Sequence, residues 1–286
     1  MGAWTLEDVS RIGVEGAQPV GGVNVDTDFN VKGTWTELTP ALPFEAHGVY
    51  LCFSLRNTGV VYTTGRTWLI DLAISDGTTR WIIAADLPLD SMGSALSPAG
   101  IWLPITIPAG VRLDARGQNS GSNNLTIDMW LLPMQRGLAS SAPYSRCHTF
   151  GANTGLSKGT VIDPGLTADT KGAWTVLGSD LTVPLKALSV FIGHNANNVG
   201  DETFWNVDVA FAPSTPVDAD IVLHDLPSST KGQDATFAQS PAIPGVHGPF
   251  PLTIPADGAS DLWARAASSQ ADGSDRLCDV VLVGFD

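Results

Sequence analysis

Three observations predict an all-β protein made of two tandem β-sandwich domains, jelly-roll-like and arising from internal duplication. Apolar residues alternate with period 2 in one segment after another, the mark of strands with a buried face. Between them lie runs of turn formers such as "SDGTT", "GQNSGSNN", "HNANNVGDE" and "SSQADGSD", and no segment carries a capped apolar period of 3.6 residues. The phrase "LPITIPAGVRLDAR" at 103–116 returns in altered form as "FPLTIPADGASDLWAR" at 250–265.

Other pairs follow in the same order along the chain. "VKGTWTEL" from Val31 answers "TKGAWTVL" from Thr170, "TWLIDLAI" from Thr67 answers "FWNVDVAF" from Phe204, and "AADLP" from Ala84 answers "LHDLP" from Leu223. "LTIDMWLL" from Leu125 closes the first series and "RLCDVVLV" from Arg276 the second. The spacing runs from 137 (Trp68 to Trp205) to 151 (Asp128 to Asp279), as small loop insertions would produce.

The matched strands place corresponding residues inward. Trp68, Ile70, Leu72 and Ile74 form one face, and Trp205, Val207, Val209 and Phe211 form its counterpart. Val49, Leu51 and Phe53 match Leu188, Val190 and Ile192, while Ile127, Met129 and Leu131 match Cys278, Val280 and Leu282. A slip of one residue would turn each set to solvent, so agreement between the series supports the assignment. The proline of each TIPA phrase belongs at a strand end or edge, because it cannot donate to a ladder.

The resulting plan is a first sandwich over 1–137 with an N-terminal segment 1–20, a linker at 138–145, and a second sandwich over 146–286. A length of 286 residues fits two cores better than one. Asp and Glu outnumber Lys and Arg 29 to 15, a formal charge of −14 that repels phosphate backbones, so nucleic acid is not an expected partner. No run approaches the length of apolar residues that inserts into a membrane, and "MGAWTLEDVSRIG" lacks the order of a secretory signal. Cys52, Cys147 and Cys278 are odd in number and far apart, which indicates no disulfide framework.

No chemistry-bearing motif emerges. There is no G-x-S-x-G elbow, and the five histidines His47, His148, His194, His224 and His247 stand singly, without H-E-x-x-H spacing. "NVDTDFN" at 24–30 lacks the spacing and closing Glu of a calcium loop. The expectation is a chain that is not an enzyme, with no catalytic residues, metal or cofactor. Carboxylates recur in pairs, Asp71 with Asp208, Asp86 with Asp225 and Asp128 with Asp279, as do Arg116 and Arg265. One copy of each per repeat points to strand-tying ion pairs more than to two carboxyl groups facing one bond.

Tryptophans divide by the same comparison. Trp35 matches Trp174 and Trp68 matches Trp205, which reads as four core fixtures, whereas Trp81 matches Asp220 and Trp263 matches Asp114. A position that accepts Asp in one copy reads as wet. Trp81 and Trp263, with Trp102 and Tyr62 near strand ends, are therefore the candidate binding or interface residues.

The order K-G-x-W-T, an alternating strand, then "LPITIPAGVRLDAR" and a closing apolar strand resembles a structural domain of tailed bacteriophages and gene-transfer particles. The resemblance covers both copies and is weaker in the second, where Asp257 takes the place of Gly110 and two residues precede Trp263 as an insertion. It implies a protein on the exterior of a virion, assembled in a bacterial cytoplasm: a head spike, head fibre or capsid decoration protein that assists host attachment. A tail-tip or tail-fibre part of the same particle is the alternative, and a free pair of carbohydrate-binding modules is the alternative of another class. The implied partners are other virion proteins, further copies in a symmetric homo-oligomer, and a host surface glycan. The longer loops of the second copy suggest that the first copy anchors and the second reaches outward.

Overall fold

The computed structural model describes residues 22–24, 30–55, 66–91, 99–119, 126–133, 144–153, 159–194, 203–230, 239–240, 243–244, 246–270 and 277–286. The chain divides into two compact units, Met1–Thr63 with Trp68–Cys147 and Thr64–Thr67 with His148–Asp286.

Unit 1 contains β1 (Gly22–Asn24), β2 (Thr36–Glu37), β3 (Val49–Leu55), β4 (Arg66–Ser75), β5 (Arg80–Ser91), β6 (Ala99–Leu103), β7 (Arg112–Asn119) and β8 (Thr126–Pro133). One sheet has the order β1-β8-β3-β6 and the other β2-β7-β4-β5. Successive early strands alternate between sheets and the late ones return between them, which is the jelly-roll order.

Unit 2 contains β9 (Cys147–Phe150), β10 (Thr160–Ile162), β11 (Thr175–Gly178), β12 (Leu185–His194), β13 (Thr203–Ala212), β14 (Ile221–Thr230), β15 (Gln239–Ser240), β16 (Ile243–Pro244), β17 (Val246–Ile254), β18 (Asp261–Ser268) and β19 (Cys278–Phe285). Its sheets run β10-β19-β12-β17 and β11-β18-β13-β14, the same order again, with β9 also beside β19 and a small β15-β16 ladder apart. No α-helix occurs among the described residues, and none of their segments is a helix long and apolar enough to cross a membrane.

The units agree in register as well as order. Leu51 faces Leu131 in unit 1 and Val190 faces Leu282 in unit 2, while Asp71 faces Arg116 as Asp208 faces Arg265. The predicted inward faces are buried: Trp68, Ile70 and Leu72 in one unit, and Trp205, Val207 and Val209 in the other. Ile74 and Phe211 are half-buried at the ends of those strands. In unit 2 the core joins both sheets, with Leu188, Val190 and Ile192 from one packing with Val207, Val209 and Ala264 from the other.

Two sequence expectations change. Trp35 and Trp174 are half-buried and lie outside the inter-sheet core. The partner of Gly110 is Gly258 rather than Asp257: both glycines have positive φ (84° and 66°), and each donates its N–H to the same carbonyl, Leu42 O in unit 1 and Leu181 O in unit 2. Asp257 instead organises the longer second turn, accepting from the N–H groups of Ala259 and Ser260. The linker at 138–145 falls mostly, and the N-terminal segment 1–20 wholly, outside the described residues.

Candidate functional site

In β4, Asp71 lies between Ile70 and Leu72, so alternation turns it to the face away from the core, and Asp208 takes the same place in β13. Both are nevertheless buried, at 3% and 0% exposure. The cover comes from the K-G-x-W-T segment that leads into β2 or β11. Gly33 donates its N–H to Gly117 O at 2.8 Å and Gly172 to Ala266 O at 2.9 Å, which lays each segment over its sheet. At Gly172 the chain passes so close that a Cβ would stand 2.2 Å from Asp163 O.

Each segment delivers a lysine and a tryptophan. Lys32 Nζ lies 2.7 Å from Asp71 Oδ1 and 2.7 Å from Asp86 Oδ1, while Arg116 Nε donates to Asp71 Oδ2 at 2.8 Å. In unit 2, Lys171 Nζ lies 2.7 Å from Asp208 Oδ1 and 2.9 Å from Asp225 Oδ1, and Arg265 Nε donates to Asp208 Oδ2 at 2.9 Å. Trp35 stacks on Arg116 at 4.6 Å, and Trp174 on Arg265 at 4.4 Å.

A backbone feature completes both clusters. Asp86 and Asp225 have φ of 53° and 51°, a left-handed conformation that Asp tolerates better than most residues. Each turns its N–H onto the buried carboxylate, with Asp86 N to Asp71 Oδ1 and Asp225 N to Asp208 Oδ1 both at 2.9 Å. Burial alone would push the Asp71 and Asp208 carboxyls up. The lysine, the arginine and the amide outweigh it and hold both below the ordinary aspartate value.

Around this shared arrangement the units differ. In unit 1, Arg80 pairs with buried Asp114 and lies 5.8 Å from the Trp35 ring, so two guanidinium groups flank one indole. In unit 2, His224 Nδ1 lies 2.8 Å from Asp225 Oδ2 and 3.5 Å from Asp208 Oδ1, and Arg265 Nη2 reaches Asp218 Oδ1 at 3.3 Å. Asp208, His224 and Asp225 offer ligand atoms within 4.8 Å of one another. The Lys171 ammonium already sits against both carboxylates, taking the place a cation would take.

The sequence singled out Arg116, Arg265, Asp71 and Asp208, and these meet as described. Asp279 is buried in β19, and Asp128 lies in β8 opposite Ser54. Trp81 is 47% exposed at the start of β5. Trp263 is half-buried and donates Nε1–H to Ala212 O at 3.1 Å, while Trp102 is half-buried beside Gly48. Tyr62 lies outside the described residues. The wetness argued for the Trp263 position fails, because its counterpart Asp114 is 1% exposed. Lys32 and Lys171 received no role from the sequence, although their spacing of 139 equals that of Trp35 to Trp174 and of Asp86 to Asp225.

No protein-family model matches this chain, and no curated protein does. Solved structures align with it at low identity and low TM-score. PNGF-II aligns over 98% of this chain and 66% of its own at 11% identity and a TM-score of 0.39. Peptide-N(4)-(N-acetyl-β-D-glucosaminyl) asparagine amidase aligns over 97% and 96% at 8% identity and a TM-score of 0.41. The CBM22-1–CBM22-2 tandem domain of Xyn10C from Paenibacillus barcinonensis aligns over 98% and 94% at 8% identity and a TM-score of 0.27. The expectation that the chain is not an enzyme is corrected here, since a peptide-N(4)-(N-acetyl-β-D-glucosaminyl) asparagine amidase is among the solved structures that align with it. At these scores the likeness transfers neither an activity nor a residue.

Proposed function

We propose that the chain is a structural component of the exterior of a tailed-phage-like virion, a head spike, head fibre or capsid decoration protein that assists host attachment. One observation carries the reading. The residues of the family-like phrases, Lys32, Trp35 and Arg116 with Lys171, Trp174 and Arg265, are those that join each covering segment to its sheet. The resemblance therefore rests on residues that build the domain, and two such domains in one chain suit a part with separate anchoring and outward surfaces. The same features fit a tail-tip or tail-fibre part of the particle. The spacing of the repeated residues further supports descent of both units from one duplicated sandwich.

A second reading, a free pair of carbohydrate-binding modules, is favoured by Trp81, an exposed aromatic residue of the kind that stacks on sugar rings. Antibody to the purified chain, applied to intact particles from the source culture and viewed by electron microscopy, separates the readings. Label at vertices or over the shell is the expected result, and label at the distal tail selects the alternative location. Protein found free with all particles unlabelled overturns the virion reading in favour of the modules.

A further inference from the structure

We infer that His224 is an acid-activated competitor for the two carboxylates that anchor Lys171, so that mild acid loosens the K-G-x-W-T segment of unit 2 and leaves that of unit 1 fastened. The two segments follow the same path. Asn30 and Asp169 both hold φ of 57° just ahead of the lysine, and Gly33 and Gly172 donate to their sheets at 2.8 and 2.9 Å. A difference in grip between the units therefore comes from the side chains around each lysine.

Two differences separate the clusters. At the spacing of 139 that relates Lys32 to Lys171 and Asp86 to Asp225, Ala85 answers to His224 and Thr79 to Asp218. Unit 1 is balanced by fixed charges, with Lys32, Arg116 and Arg80 set against Asp71, Asp86 and Asp114. In unit 2, Lys171 and Arg265 face Asp208, Asp225 and Asp218, which leaves a carboxylate in excess until the imidazole takes a proton. Asp220, on the same turn as Asp218, is engaged with the Val217 N–H at 2.9 Å.

The imidazole shares its carboxylates with the lysine. His224 Nδ1 lies 2.8 Å from Asp225 Oδ2 and 3.5 Å from Asp208 Oδ1, while Lys171 Nζ holds the same two groups at 2.9 and 2.7 Å. The charges around His224 are thus Asp225 on its own strand, Asp208 on β13, Lys171 on the covering segment and, through Asp208, Arg265 on β18. Lys171 chiefly, and His224 after it, hold the Asp225 carboxyl below the ordinary aspartate value against burial. An imidazole gains its proton between about pH 8 and about pH 5, where carboxylates held low stay ionised.

Proton uptake and lifting of the segment favour each other. A protonated His224 weakens the negative potential that holds Lys171, and two cations on the same carboxylates repel. When Lys171 leaves, Asp208 and Asp225 keep Arg265 and a protonated His224, whereas in unit 1 Asp71 keeps Arg116 and the place of His224 is an alanine. Lifting also removes a positive charge from beside the imidazole, so falling pH shifts the segment toward the lifted state. The carbonyls uncovered are those of Ala266 and Ser268 in β18, which Gly172 and Asp169 bond when the segment is seated. None of this depends on which particle carries the protein.

Amide hydrogen exchange of the full chain, measured at about pH 7.5 and about pH 5.5 and corrected for the intrinsic rate, tests the inference. Protection of the Gly172 and Asp169 amides should fall about tenfold in acid, while that of Gly33 in unit 1 and of Val190 in the core of unit 2 does not fall. His224→Gln, a change at a side chain 61% exposed, should abolish the fall. Lys171→Met should lower Gly172 protection at both pH values and remove its pH dependence, since nothing is left to compete for. Equal protection of Gly172 at the two pH values in the wild type overturns the proposal. So does a fall that His224→Gln or Lys171→Met retains, or one that Val190 shares, which would mark unfolding of the whole unit.

Discussion

A buried aspartate between a lysine and an arginine is stable only as long as both cations remain in place, and here each cation also has a second task. Arg265 binds Asp208 through Nε and lies flat on Trp174, a combination that a lysine cannot reproduce. Arg265→Lys is expected to cost about 1 to 2 kcal/mol in denaturant unfolding of unit 2. Arg112→Lys is the control, since its partner Glu37 is exposed and the change should stay within about 0.5 kcal/mol. The sequence made the Asp and Arg pairing legible because both repeat on facing strands. It misplaced Asp114, which Arg80 of β5 reaches across the intervening β4, a contact that no local pattern displays.

Strands were legible because alternation is a local property. Trp68-Ile70-Leu72 and Trp205-Val207-Val209 announce a buried face in any jelly roll or barrel, and their burial follows. The covering segment was not legible in the same way. Trp35 and Trp174 are large, apolar and repeated, which reads as core, yet they belong to a stretch that crosses a sheet and is satisfied by guanidinium stacking outside it. At position 172 the glycine is required because the Asp163 carbonyl and the Pro164 backbone, just after β10, leave no room for a side chain. Gly172→Ala is expected to destabilise unit 2 by about 1 to 3 kcal/mol, read as a lowered midpoint in thermal unfolding. The same change at Gly258, where no atom lies within 4 Å of an added Cβ, would act through its positive φ alone.

At the scale of the whole molecule, two units repeat one strand order, one register and one ion cluster. The central claim is that these repeated charges maintain the fold and are not a free binding surface. Its sign with pH is fixed. Asp71 and Asp208 have lowered folded-state values, so their contribution is fully present above the ordinary value of 3.8 and is lost as pH falls through the folded value. The direct measurement is denaturant unfolding of the wild type and of Asp208→Asn across pH 7 to pH 2, following the transition of unit 2. At pH 7 the variant should be less stable by roughly 3 kcal/mol, because Lys171 and Arg265 lose their shared counter-charge. The gap should close in acid as the wild-type carboxylate is protonated. Equal stability at pH 7, or a gap that persists unchanged into acid, would contradict the account.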